Sequence, residues 1–152
     1  MSLKLVDVYP YRQIQEDVRF LIFKRAESAM YAGQWRMIGG KVNPGEHRSS
    51  AALRELGEET GCNVHDFWVV PQINQFYDHN TDTIHHIAAF AAGITGQSDI
   101  RLNHEHQSYK WVSAPEAKKI LKWPEQARLI QLIHDILTTG EVLPEWKINV
   151  PQ

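Results

Sequence analysis

One stretch of the chain constrains its structure more than any other: GKVNPGEHRSSAALRELGEETGC, which begins at Gly40. Five residues separate Gly40 from Glu46, and seven more lead to Arg54, which opens the run RELGEETGC. Alanine, leucine, arginine and glutamate are good helix formers, and Gly61 stands where a left-handed C-terminal cap is needed. The stretch therefore predicts a helix from Ser49 to Thr60, preceded by a glycine-rich loop.

The predicted helix carries a crowded acidic face. Offsets of three and four residues place Glu55, Glu58 and Glu59 within an arc of about 100°, while Leu53 and Leu56 fall on the neighbouring arc. An isolated E-x-x-E-E is usually a solvated helix face. Three close carboxylates, however, are stabilised by a cation between them, and oxygen ligands suit Mg²⁺, with Mn²⁺ as a substitute.

The full spacing, G-x5-E-x7-R-E-aliphatic-x-E-E-x-G-aliphatic, is that of the Nudix box, and the chain resembles the Nudix hydrolases. Cys62 departs from the final aliphatic position, where it can pack as a small hydrophobe. The resemblance implies a loop-helix-loop in which water attacks a phosphorus atom of a diphosphate. It also implies roles for six residues: metal ligands Glu55, Glu58, Glu59 and the Gly40 carbonyl, with Arg54 and Glu46 in support.

Length and composition narrow the functional class. With 152 residues, the chain suits one domain spanning residues 1–152. A net charge of −2 gives no basic surface for duplex nucleic acid, and no apolar run is long enough to span a membrane. The single cysteine fits a reducing compartment. We expect a cytoplasmic protein, and a homodimer remains open.

Strand and helix signals surround the box. Alternating and β-branched segments predict strands, and proline and serine near helix starts predict two later helices. Pro10 indicates an edge or a bulge in the first strand. The predicted strands are Leu3–Ile14, Val18–Arg25, Trp35–Ile38, Phe67–Tyr77, Thr83–Ile94 and Ser108–Val112, and the helices run from Ser113 to about Leu121 and from Pro124 to Gly140. The expected fold is an α+β protein, a Nudix-like α/β/α sandwich with a mixed central sheet, a catalytic loop-helix-loop and a C-terminal helix.

Glu105 is a candidate metal ligand and general base, because many Nudix enzymes carry a glutamate in a loop at this place. An exposed loop acid is the plain alternative. The histidines nearby, at positions 104 and 106, could suggest a zinc cluster with those at 85 and 86. Adjacent residues of a strand face opposite sides, so His85 and His86 cannot easily share one metal, which disfavours zinc. A phosphate or nucleobase contact by one of these histidines is another alternative, and solvent exposure is the simplest expectation.

Candidate substrate contacts are cations and aromatic side chains near the box. Arg36 and Lys41 could hold phosphates through charge-assisted bonds, as could Arg12, Lys24 and Arg25. Tyr31, Trp35, Phe76 and Tyr77 could stack on a base or pterin ring, although aromatic residues more often fill the core. Each of these side chains could equally be structural.

The runs VYPYR, YAGQWRMIGGKV and HEHQSYKWV resemble bacterial dATP pyrophosphohydrolase-like Nudix members, a group that includes enzymes acting on dihydroneopterin triphosphate. The preferred substrate is therefore a nucleoside triphosphate or a close relative. ADP-ribose hydrolases tend to have a proline where this chain has Asp78. The alternatives are a dinucleoside polyphosphate or nucleotide-sugar hydrolase, and a non-catalytic nucleotide-sensing domain.

Overall fold

A seven-stranded mixed sheet forms the centre of the computed structural model, which describes residues 4–94 and 100–151. The main strand order is β3-β2-β1-β6-β5, with β4 paired to β1 and β7 paired to β2. The strands are β1 (Leu5–Ile14), β2 (Asp17–Arg25), β3 (Trp35–Arg36), β4 (Ile38–Lys41), β5 (Val64–Asp78), β6 (Thr83–Ile94) and β7 (His106–Val112). The helices are α1 (Arg48–Thr60), α2 (Ala114–Ile120) and α3 (Pro124–Thr138), with a short 3-10 turn at Pro144–Trp146.

Strand β1 lies at the centre of the sheet. It runs parallel to β6 and antiparallel to both β4 and β2. On one side, β1 pairs with β4 as far as Val8 and with β2 from Tyr11 onward. Pro10 lies in the gap between these pairings. Of the two alternatives expected for Pro10, an edge or a bulge, the edge is wrong, because β1 is a central strand. A residue without an N–H is tolerated here because β1 changes partner on that side at the same point.

The two faces of the sheet bury two separate cores, because successive side chains of a strand point to opposite sides. Val6 and Val8 pack with Ala51, Ala52 and Leu56 of α1 on one face. The opposite face packs against α2 and α3, through a cluster that includes Tyr9, Tyr11, Phe20, Ile22, Leu129, Ile130 and Ile133. This arrangement confirms the predicted α/β/α sandwich.

The helix ends follow the signals in the sequence. Gly61 caps α1 at φ 69°, and its N–H donates to the Gly57 carbonyl. The hydroxyl of Ser113 accepts a hydrogen bond from the backbone N–H of Glu116 at the start of α2. Pro124 occupies the first turn of α3, whereas Thr139, rather than Gly140, caps its end.

The predicted elements occur with small changes of boundary. Trp35–Ile38 is two short strands with different partners, and the 3-10 turn was not anticipated. Leu3, the predicted start of β1, lies outside the described residues. No helix within residues 4–94 and 100–151 is long and apolar enough to cross a membrane.

Candidate active site

Arg54 organises the acidic face of α1 and the loop before it. Its Nε and Nη2 donate to the two carboxylate oxygens of Glu46 at 2.9 and 3.0 Å, and Nη2 also donates to the Lys41 carbonyl at 2.9 Å. Its Nη1 donates to Glu55 Oε1 at 2.9 Å and lies 3.5 Å from Glu58 Oε2. One guanidinium therefore fixes the loop to the helix, and its bonds, together with one from the Asn43 N–H, lower the pKa of Glu46.

Gly40 provides the space in which the Glu55 carboxyl lies. A Cβ at this position would lie 2.5 Å from Glu55 Oε1, and the Cγ and Cδ atoms of the same side chain would also be too close. The backbone of Gly40 is not left-handed, so close approach rather than backbone conformation requires glycine here. Burial raises the pKa of Glu55, against the lowering effect of Arg54.

Glu59 is a buried carboxyl in the last turn of α1. Its side chain is 1% exposed, and neither carboxyl oxygen has a hydrogen-bond partner. Loss of solvation, and then the nearby carboxyl of Glu105, raise the pKa of Glu59 to about 10. A buried carboxyl without a hydrogen bond is costly, which makes this position suited to a cation.

Glu105 and His106 approach α1 from the loop before β7. Arg25 Nη1 lies 3.7 Å from Glu105 Oε2, and the Glu105 carbonyl accepts a hydrogen bond from the Ala26 N–H at 2.9 Å. His106 Nε2 lies 3.6 Å from Glu59 Oε1. The expectation of a solvent-exposed histidine was wrong for His106, whose side chain is fully enclosed; His104 is exposed.

The donor set fits a divalent cation. Glu59 supplies two buried oxygens without partners, and the missing Cβ of Gly40 lets Glu55 approach the backbone. All the candidate side chains offer oxygen, the ligand type that Mg²⁺ prefers. Among residues 4–94 and 100–151, no three acidic, histidine or cysteine side chains are already arranged around one point, and Glu58 is 55% exposed.

Two predicted substrate contacts lie together on an aromatic cluster. The Arg36 guanidinium lies 4.1 Å from the ring centre of Tyr31 and 4.9 Å from that of Trp123, the residue before α3. Trp123 also contacts Phe76 of β5, at 5.1 Å between ring centres. Tyr31 is 42% exposed at φ 62°, a left-handed conformation that is uncommon for a bulky residue. No sequence motif pointed to Trp123 as a member of this cluster.

The other predicted contacts are dispersed. Trp35 packs at the margin of the α3-side core, with Lys110 Nζ 4.9 Å from its ring centre. Lys41 is exposed at the end of β4. The Tyr77 hydroxyl donates to Asp82 at 2.9 Å at the tip of the β5–β6 hairpin. The structure thus groups Arg36 with Tyr31 and, through Trp123, with Phe76, and it places Trp35, Lys41 and Tyr77 elsewhere.

A buried polar network joins β1, β5 and α3, and sequence reasoning missed it. Asp7 Oδ2 accepts hydrogen bonds from Asn74 at 2.9 Å and Gln126 at 3.3 Å. Gln126 in turn accepts from the Met37 N–H at 3.1 Å. Burial raises the pKa of Asp7. Three polar residues so far apart in sequence carry no local pattern that reveals their contact.

A cleft of about 440 Å³ opens at the N-terminal end of α1, and it is lined by Lys4, Glu46, His47 and Arg48 over Val69 and Phe90. Among the candidate catalytic residues, only Glu46 lines it. The carboxyls of Glu55, Glu58 and Glu59 lie further along the helix.

Residues 5–133 match the family model of the NUDIX domain. The chain is 26% identical over 133 residues to the asymmetrical bis(5'-nucleosyl)-tetraphosphatase of Caenorhabditis elegans, covering 86% of this chain and 94% of that protein. It is 32% identical over 111 residues to the nucleoside triphosphatase NudI of Salmonella typhimurium, covering 68% of this chain and 79% of that protein.

Solved structures share the fold. The binary complex of the C. elegans Ap4A hydrolase superimposes with a TM-score of 0.77 at 23% identity, over 91% of this chain and 99% of that chain. At this identity the likeness supports the architecture and not the substrate.

Proposed function

Because the chain belongs to the Nudix hydrolase family, whose activity is hydrolysis of phosphoanhydride bonds, we propose that it is a Mg²⁺-dependent pyrophosphohydrolase of a nucleoside triphosphate or a close relative. We also propose that residues 1–152 form one domain, since the family match and the single sheet span most of the chain.

The observation that carries the proposal is the network around Arg54. One side chain bonds to Glu46, to the Lys41 carbonyl and to Glu55, and the Glu55 carboxyl lies in the space left by Gly40. A structural helix face would need none of these contacts, because its carboxylates would point into water. The network holds acidic groups where their burial costs free energy, and catalytic sites commonly contain groups held in this way.

Glu55, Glu58, Glu59, Glu105 and the Gly40 carbonyl would hold the metal, with Mn²⁺ as a substitute for Mg²⁺. When bound, the metal supplies charge neutralisation of the phosphates and a lower pKa for the attacking water. Arg54 orients Glu55 and holds the loop through Glu46, so both act as supporting residues.

The proton of the attacking water passes to Glu58 or Glu105. Both carboxyls are accessible, with side-chain exposures of 55% and 38%. Within the described residues, Glu58 is paired with Arg54 at 3.5 Å and Glu105 with Arg25 at 3.7 Å. An accessible carboxylate without a short bidentate partner is free to accept a proton.

Arg36 and Tyr31 are the substrate contacts that the structure supports best. Their shared cluster with Trp123 offers a cation and aromatic faces in one place, which suits phosphates and a base. The Salmonella relative is named a nucleoside triphosphatase, which favours a triphosphate. Trp35, Lys41 and Tyr77 remain candidates that this cluster does not include.

A product assay tests the proposal. Nucleoside triphosphates, dihydroneopterin triphosphate, diadenosine polyphosphates and nucleotide sugars are each incubated with Mg²⁺, and pyrophosphate is separated from phosphate. We expect pyrophosphate from one triphosphate at a clearly higher kcat/KM than from any other compound.

Preferred cleavage of a diadenosine polyphosphate would instead assign the activity named for the C. elegans relative. Nucleotide binding without turnover of any compound, with both Mg²⁺ and Mn²⁺, would favour a sensing domain and contradict the proposal.

A further inference from the structure

A β-bulge determines which residue of β7 faces the catalytic helix. Lys24 pairs with Ser108, but the next residue of β2, Arg25, pairs with His106, so one extra residue of β7 is inserted. Without it, Gln107 would lie opposite Arg25. Since a one-residue shift exchanges the two faces of a strand, the bulge turns His106 inward and leaves Gln107 exposed.

The inward ring is held tightly. His106 packs against the ring of Phe23 with 4.9 Å between ring centres and an interplanar angle of 34°. Its Nε2 lies 3.6 Å from Glu59 Oε1 and 3.4 Å from Arg25 Nη1. The same Arg25 nitrogen lies 3.7 Å from Glu105 Oε2. His106 therefore lies beside Glu59, and Arg25 lies beside both His106 and the carboxyl of Glu105.

We propose that His106 is a positioning residue for Glu59, and that with Arg25 it holds Glu59 and Glu105 in a fixed relation at the active site. This inference rests on the proposed function, because it gives Glu59 and Glu105 the roles stated above.

The environment of Glu59 explains why a positioning residue is needed. The carboxyl is enclosed, and neither oxygen has a hydrogen bond to fix its orientation. At 3.6 Å, the Nε2 atom of His106 is too far for a hydrogen bond but within reach after a small rotation of the carboxyl. Outer groups of this kind commonly orient metal ligands, and their loss typically weakens metal affinity or activity about 10- to 100-fold.

Either ring nitrogen of a histidine can take part in a hydrogen bond. Nε2 of His106 can therefore accept from Arg25 or donate to Glu59. His106 therefore positions Glu59 through the shape of its ring and its capacity to form hydrogen bonds.

Two substitutions separate the contribution of the ring nitrogens of His106 from that of its flat ring. His106→Phe keeps a flat ring against Phe23 and removes both nitrogens, whereas His106→Gln restores a hydrogen-bonding group near Nε2. We measure the Mn²⁺ Kd by electron paramagnetic resonance, kcat and KM with the best triphosphate, and Tm. Gln107→Ala, at the exposed residue of the same bulge, is the matched control.

We expect the Phe variant to bind Mn²⁺ about 10-fold more weakly and to lose kcat rather than gain KM, at little cost in Tm. The Gln variant should recover most of both losses, and Gln107→Ala should match the unmodified protein. Unchanged Mn²⁺ affinity and kcat in the Phe variant would overturn the inference, as would an equal loss in the Phe and Gln variants.

A spectroscopic measurement on the unmodified chain covers the case in which the Phe variant does not fold. With ¹⁵N-labelled histidine, adding Mg²⁺ should shift the ring nitrogens of His106, identified by their absence in His106→Gln, and Glu59→Gln should abolish the shift. No shift of His106 on Mg²⁺ binding would overturn the inference. If the unmodified protein bound neither Mg²⁺ nor Mn²⁺, the proposed function itself would fail, which is a distinguishable result.

Discussion

Gly40→Ala tests the geometry of the active site with a single methyl group. The new Cβ would lie 2.5 Å from Glu55 Oε1, whereas ordinary van der Waals contacts begin near 3.4 Å. The carboxyl must therefore retreat by about 1 Å. The same oxygen accepts the 2.9 Å hydrogen bond from Arg54 Nη1, so this bond lengthens or breaks.

A displacement of about 1 Å at a catalytic group can lower the rate about 100-fold. We therefore expect kcat to fall by roughly two orders of magnitude and the affinity for Mn²⁺ to weaken. Stability should change by only about 1 kcal/mol, because the Gly40 backbone is not left-handed and the atoms that must move all belong to one flexible side chain, that of Glu55.

The assay combines Mg²⁺-dependent pyrophosphate release, Mn²⁺ titration and thermal unfolding. Gly57→Ala is the matched control, because a Cβ at Gly57 meets nothing within 4 Å. In the interior of α1 it should stabilise the protein by about 1 kcal/mol and leave kcat unchanged. Normal turnover and normal Mn²⁺ affinity in Gly40→Ala would refute the placement of Glu55 over this glycine.

Three further predictions address Glu58, Arg54 and the separate buried network around Asp7. Glu58→Gln should reduce kcat by orders of magnitude with an unchanged circular dichroism spectrum, since its side chain is 55% exposed; near-normal activity would contradict its assignment as a ligand. Arg54→Lys should lower kcat about 100-fold, because one ammonium cannot make the paired bonds to Glu46, and kinetics within threefold of the unmodified protein would count against the network. Asp7→Asn should increase the free energy of unfolding more at pH 7 than at pH 3. Burial raises the pKa of Asp7 in the folded protein. The destabilisation caused by its charge is therefore absent below the unfolded pKa near 3.8 and fully present above the folded pKa. Urea unfolding at both pH values measures this effect, and a variant that loses more stability at pH 7 than at pH 3 would show the sign to be wrong.

Local sequence determined helix α1 and the arrangement of the glutamates along it. The positions of Glu55, Glu58 and Glu59 on one face follow from helical periodicity, and the glycine at position 61 predicts the end of the helix. Strand positions were also predictable, because alternation and β-branched residues are local signals. For the same reason, the α/β/α architecture could be expected from the order of the elements together with the family resemblance.

Only the tertiary structure decided which distant residues meet at this helix. His106 faces Glu59 because β7 has one extra residue opposite Arg25, and pairing register depends on the partner strand rather than on local sequence. Pro10 is central rather than at an edge because two different strands share one side of β1. The sequence alone determined which side chains share one face of α1, since periodicity is a property of a single segment. The tertiary structure determined which residues surround those side chains, since strand register and burial depend on the whole chain.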